Sequence, residues 1–152
     1  MKKMLTLILC TVFVFAFAQF RGIGAAKTQQ CASNLKQIGV GFTMYLVDHN
    51  QFPNKLEELP AISQGVLKCP QTNKKYIYLG RISGNNKHAI PCVIEAIGNH
   101  AGKINVLWQD GHVSALSHKA TNYQGLLGYF KGLSQAQKAE LLKALKKADS
   151  GK

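Results

Sequence analysis

What this sequence has least of is negative charge. Seven Asp+Glu stand against 19 Lys+Arg, giving a formal net charge of +12, yet charged residues make up only 17% of the chain. That share is below the roughly 25% of an average soluble protein, so the positive balance comes from scarce acids, and a disordered polybasic tail is excluded. Apolar runs are scarce too: none as long as the N-terminal one recurs, which excludes a polytopic membrane protein. The chain has no Cys-x-x-Cys pair, no Gly-x-Ser-x-Gly elbow, no His-Glu-x-x-His and no phosphate loop. The usual signatures of zinc knuckles, serine hydrolases, zinc proteases and nucleotide sites are therefore missing. What is present is 152 residues, 46% of them apolar, enough for a single globular domain.

The N-terminus fixes the expected compartment. Lys2 and Lys3 precede an uncharged run from Met4 to Phe20, and Ala16, Phe17, Ala18 form a small-x-small site before Gln19. This is the layout of a signal peptide over 1–18. The rival reading is a retained anchor, which as a helix reaches about 25 Å, at the short end for a hydrocarbon core of about 30 Å. Both readings place the rest outside the cytoplasm, anchored at the inner membrane or released to the periplasm or exterior, because the lysines stay inside. Cys10 follows Leu9 rather than a small residue, so lipidation is not expected.

In an oxidising envelope two of Cys31, Cys69 and Cys92 are expected to pair. Cys69 precedes Pro70 in a loop and Cys92 follows Pro91 at the start of an apolar run, whereas Cys31 falls on a helix. Cys69 with Cys92 is the favoured pair, Cys31 with Cys69 the alternative, and three buried reduced thiols the third reading.

Periodicity gives the elements. Leu35, Ile38, Phe42, Tyr45 and Leu46 line one face of a helix over Gln30 to Val47. Gly39 and Gly41 weaken that helix by about 1 kcal/mol each, so packing must support it, and they permit close approach of a sheet or a neighbouring subunit. A short helical turn is expected over Asn54 to Leu59. Lys75 to Leu79 and Ile90 to Ile97 read as strands joined through Ser83 to Lys87. Ile104, Val106 and Trp108, then Asp110 and Gly111, then Val113 and Ala115 read as a hairpin. With Asp110 and Gly111 at the turn, Trp108 faces Val113 and Val106 faces Ala115, and this apolar face is expected to cover the helix stripe. Leu126, Leu127, Tyr129 and Phe130 return to helix, and Ser134 with Gln137 form a capping pair before Leu141, Leu142 and Leu145. The fold class is α+β: an N-terminal helix on a small antiparallel sheet, with a C-terminal helical segment against one edge. The expected division is 1–18 leader, 19–120 globular domain and 121–152 basic helical extension.

His100, nine intervening residues, then Asp110 and Gly111 reproduce an H-x9-DG pattern. Around it stand Cys31, Ala32, Ser33, Asn34, Leu35, Lys36, Gln37, then Tyr45, Asp48, Phe52 and Pro53, then Cys69 and Pro70, and finally Asp110, Gly111, His112 and Val113. In this order they resemble the prepilin-type H-x9-DG proteins, relatives of type II secretion pseudopilins, over Cys31 to Val113. The resemblance implies a pseudopilin-like fold, with His100, Asp110, Gly111 and His112 as family motif residues. It also implies a non-enzymatic role in a type II secretion or type IV pilus system, by self-association or contact with its components through the N-terminal helix. The family's Gly-Phe-Thr-Leu-Ile-Glu junction has no counterpart here: no Gly-Phe precedes the apolar run and no glutamate lies within it.

Two other classes stay open on the residues themselves. A basic secreted protein attracts acidic polysaccharide, anionic lipid or DNA alike. A hydrolase or metalloprotein using His100, Asp110 and His112 requires those groups to meet, but residues 103 to 109 as one strand span about 23 Å, which keeps His100 from the turn unless Gly98 or Gly102 bends the chain back. No metal, cofactor or small-molecule substrate is expected.

Overall fold

The computed structural model describes residues 28–151; the expected leader, Cys10 and the apolar run lie outside them. The first helix, α1, covers 28–49. Cys31, Leu35, Ile38 and Phe42 are buried along it and Tyr45 packs beside them, a spacing of four, three, four and three that keeps one stripe inward. The glycines on α1 are close-approach positions. A Cβ on Gly39 would stand 3.1 Å from Leu107 Cδ1 of the sheet, and one on Gly41 2.9 Å from Ile62 Cγ1.

Four strands follow: β1 Ile77–Tyr78, β2 Pro91–Ile94, β3 Lys103–Trp108 and β4 Val113–Ser117. They form one antiparallel sheet in the order β1-β2-β3-β4. The α+β class holds, with strands at the expected places; β1 and β2 are shorter than the runs that announce them, while β3 and β4 extend slightly beyond theirs. A 3-10 turn at Leu56–Glu58 fills the expected helical turn. The second α-helix, α2, covers Gln135–Asp149, and its N-terminus is closed by the Ser134/Gln137 capping box, as expected.

The hairpin differs from expectation by one residue of register. Leu107 pairs with Val113, Val106 with Ser114 and Asn105 with Ala115. The Gly111 N–H donates to Trp108 O at 2.9 Å and the Trp108 N–H to His112 O at 3.0 Å, so Gln109, Asp110 and Gly111 make a three-residue loop. Gly111 sits at φ +91, the left-handed bulge position that such a loop needs. A one-residue slip moves every side chain across the sheet. Val113 therefore shares a face with Leu107, while Val106 and Trp108 share the other with Ile104. Among the three residues expected to form one hairpin face, Val113 is on the side of α1 and the other two are not.

That separation makes the sheet a middle layer with a core on each side. Toward α1, Leu35, Ile38 and Phe42 meet Val93, Leu107 and Tyr76. On the opposite side Ile94, Ile104 and Val106 meet Leu126, Phe130, Leu133, Leu141 and Leu145. The C-terminal segment thus covers a face of the sheet, not an edge. Leu126 lies in a 3-10 helix, Gln124–Tyr129, and the lysines at 143, 146 and 147 on α2 face solvent.

Asp149 ties the end of α2 to the start of that 3-10 helix, accepting the N–H groups of Tyr123 at 2.7 Å and Gln124 at 3.0 Å. Desolvation opposes ionisation, but these N–H donors outweigh it and hold the carboxyl below its usual range. A depressed folded-state value means the stabilisation is present above the unfolded carboxylate pKa of about 4 and is lost as the pH falls through the folded one. Asp149→Asn is expected to cost about 1 kcal/mol at pH 7, the size of a lost helix cap, and progressively less below pH 4. Denaturant titrations at pH 7 and pH 3 measure the difference; an equal gap at both pH values would contradict it.

Candidate functional site

The α1 side of the sheet should be uniformly apolar, and at one end it is not. A glutamate inside an apolar strand run is a local signal, because a carboxylate taken out of water must find compensation. Glu95, just beyond β2, is fully buried. Its Oε2 accepts the Asn105 backbone N–H at 2.7 Å and its Oε1 accepts Asn105 Nδ2 at 3.2 Å. Asn105 is itself buried on β3, on the face opposite Val106.

His100 completes this end. Gly98 at φ +86 and Gly102 at φ +64 build the turn before β3, and a bridge between His100 and Lys103 pins it. The imidazole points inward, its side chain 8% exposed, with Nδ1 3.3 Å from Thr28 Oγ1. Nε2 lies 3.3 Å from Glu95 Oε1 but off the hydrogen-bonding direction, which leaves that nitrogen buried without a hydrogen bond.

Two thiols stand against the same group. Cys31 comes from the inward stripe of α1, and Cys69 from a tight loop closed by Asn73 N–H to Cys69 O at 2.8 Å and Cys69 N–H to Lys74 O at 2.9 Å. Both cysteines are 0% exposed, and their sulfurs are 3.2 Å apart, Cys31 donating to Cys69. One nitrogen of His100 and the two sulfurs all lie within 4.8 Å of one another. Burial pushes the Cys31 thiol far up, with Tyr76 partly offsetting it. Burial acts on Cys69 in the same sense, but the Cys31 thiol and the backbone N–H groups of Thr72 and Gln71 outweigh it and bring Cys69 below the usual thiol range. The two adjacent thiols are thus shifted in opposite directions, Cys31 up and Cys69 down. Asn34 closes the rim, donating to Lys68 O at 3.3 Å and Tyr76 Oη at 3.5 Å.

The favoured Cys69 and Cys92 pairing is replaced by a different juxtaposition. All three cysteines are free thiols, and the one that approaches Cys69 is Cys31. Cys92 sits at a bulge opposite Trp108 and Leu107, beside Phe42, where desolvation alone pushes its thiol up to about 12. The bulge gives Cys92 a register separate from the strand positions that lead to Glu95.

His100 and Asp110 do not meet, as the strand length requires. They cap opposite ends of β3, so no hydrolytic or metal constellation of His100, Asp110 and His112 exists. Asp110 serves the turn: its Oδ1 accepts the His112 N–H at 3.1 Å and lies 2.6 Å from His112 Nδ1, while the His112 ring stacks on Trp108 at 5.5 Å. His100 is visible in sequence through the H-x9-DG pattern, and Asn34 stands in the run that carries the resemblance. Asn105 and Thr28 belong to no motif, and for Asn105 the available signal is an amide between Ile104 and Val106 in a strand.

A groove of about 440 Å³ on the other side of Tyr76 is lined by Lys55, Lys75 and Lys147 with Glu57. Lys75 is already paired with Glu57 at 3.0 Å, which reduces what that groove offers an anion. Among the described residues no helix is long and apolar enough to cross a membrane. No protein-family model, curated protein or solved structure matches this chain.

Proposed function

We propose that this chain is a non-enzymatic, pseudopilin-like protein of the cell envelope that associates with further copies of itself through α1. The observation that carries the reading is on the outer face of α1. Val40, Met44 and Val47 are 61%, 44% and 79% exposed, and they are the exposed large hydrophobics of the described residues. Their spacing of four and three places them on one stripe, opposite the stripe that packs on the sheet. A helix apolar on both of two faces has a second face to cover. A second copy offers the same stripe, which makes the contact self-complementary. The apolar run Met4 to Phe20 precedes this helix in the chain and supports export and a membrane-proximal position. The H-x9-DG pattern and the helix-on-sheet arrangement support the pseudopilin-like reading.

The full chain carrying Val40→Lys, Met44→Lys and Val47→Lys together is the test. All three positions are exposed, so the expected thermal midpoint stays within about 4 °C of the parent. Light scattering on the detergent-extracted protein is expected to show an oligomer for the parent and a monomer for the variant. A monomeric parent, or an oligomer that survives the triple substitution, overturns the reading. A monomeric parent that binds duplex DNA with steep salt dependence would move the assignment to a polyanion-binding protein.

A further inference from the structure

We propose that Cys31, Cys69 and His100, with the Glu95 carboxylate 3.3 Å from the imidazole, form a structural site for a thiophilic divalent cation of the zinc class. This goes beyond self-association through α1 and does not depend on it. Two sulfurs and one imidazole are the donors that such a cation prefers. The three strongest donors already lie within 4.8 Å of one another without rearrangement of the backbone.

Two further features point to an ion and not merely to a packed polar cluster. First, the His100 side chain is more than nine-tenths buried, and its Nε2 makes no hydrogen bond, with only the Glu95 carboxylate beside it at 3.3 Å. A buried nitrogen left without a hydrogen bond costs free energy, and a bound ion would satisfy the ring. Second, the outer partners are in place. Thr28 Oγ1 lies 3.3 Å from the imidazole Nδ1, and Asn105 fixes the Glu95 carboxylate through two hydrogen bonds.

A disulfide between Cys31 and Cys69 is the competing outcome. The sulfurs stand 3.2 Å apart. Two sulfurs on a tetrahedral zinc, with bonds of about 2.3 Å, stand about 3.8 Å apart, whereas a disulfide needs about 2.05 Å. The observed spacing is nearer the first. A disulfide would also leave Nε2 unpartnered, and the ion would not. On binding, the two thiol protons leave to solvent and the imidazole binds through its neutral nitrogen.

The test is metal content of the full chain isolated from its own envelope, followed by cobalt titration of the reduced, metal-free full chain. We expect one zinc per chain by elemental analysis. With Co²⁺ we expect saturation at one equivalent, a sulfur-to-cobalt charge-transfer band, and displacement of that band by Zn²⁺. Cys69→Ser is expected to weaken Co²⁺ binding by at least about 100-fold, since even outer-shell changes cost 10 to 100-fold. Cys92→Ser is expected to leave the stoichiometry unchanged, which controls for adventitious thiol binding. Should Cys69→Ser fail to fold, the parent chain's cobalt spectrum decides alone. Isolated protein without stoichiometric metal, whether its thiols are free or joined as a Cys31 to Cys69 disulfide, overturns the proposal. So does a cobalt spectrum without sulfur ligation.

Discussion

Removing residues 121–152 is expected to abolish cooperative folding of what remains. By composition the segment is basic, with six lysines and two acids from Lys131 to Lys152. Its inward residues nevertheless make half of the second core. Leu126, Phe130, Leu133, Leu141 and Leu145 are each 8% exposed or less and pack on Ile94, Ile104 and Val106. At about 1.5 to 3 kcal/mol per fully buried large side chain, their loss is on the order of 10 kcal/mol, against a net stability of about 5 to 15 kcal/mol for a domain. The truncated chain would also present Ile94, Ile104 and Val106 to water as one apolar sheet face, a surface prone to association. Circular dichroism melting of the chain ending at Ala120 measures this, and a sigmoidal transition within a few degrees of the parent would show that the α1 core stands alone. A milder version keeps the chain whole. Phe130→Ala, at 2% exposure and edge-on to Trp108 at 6.0 Å, is expected to cost about 3 to 5 kcal/mol.

This result bears on how far the sequence discloses the fold. The α1 stripe, the capping box and the strand positions follow from local periodicity and turn chemistry, because each signal is contained in a few residues. The hairpin phase does not. Asp110 and Gly111 suit a two-residue turn, with both in the loop centre, and equally the end of a three-residue loop, with Gly111 as the bulge. The choice decides which way β3 faces. β3 itself does not break the tie, since Ile104 and Val106 are apolar on one face and Leu107 on the other. A strand apolar on both faces belongs between two layers, and that was the available clue to a second core under the C-terminal segment. Without it, the lysines of that segment read as an appendage.

The candidate site was less legible for a different reason. Its groups come from α1, from the loop at Cys69 and Pro70, from the end of β2 and from the turn before β3. Cys31 and His100 are brought together only by the docking of α1 on the sheet, and no spacing rule applies across that distance. The H-x9-DG pattern joins His100 and Asp110 in sequence, and the strand between them, by its length, sends the two residues to opposite ends and gives them separate partners. Local sequence did mark the site in one respect: Glu95 and Asn105 are polar residues in otherwise apolar strands, and each is the other's partner.

Glu95 consequently carries the second large expected effect. Glu95→Ala removes the acceptor of the Asn105 backbone N–H, one of the two acceptors of Asn105 Nδ2 and the carboxylate facing His100, and leaves a cavity at a fully buried position. Breaking a buried polar or charged pair on one side costs about 3 to 5 kcal/mol. Glu95→Gln separates two contributions within that figure. A glutamine keeps a carbonyl oxygen for the Asn105 backbone N–H, which at 2.7 Å is the shorter of the two bonds, but it carries no charge toward His100. It is therefore expected to cost about 1 to 3 kcal/mol, the range for a hydrogen bond to a charged group. Urea titration of the parent and both variants, under reducing conditions and with chelator present, gives the ordering without interference from bound ions. Equal losses for Gln and Ala would mean that the charge, not the strand-bridging hydrogen bond, is what Glu95 contributes. The smaller loss for Gln would instead identify Glu95 as the piece that closes the sheet's polar end, holding Asn105 in register so that His100 and the two thiols meet at one point.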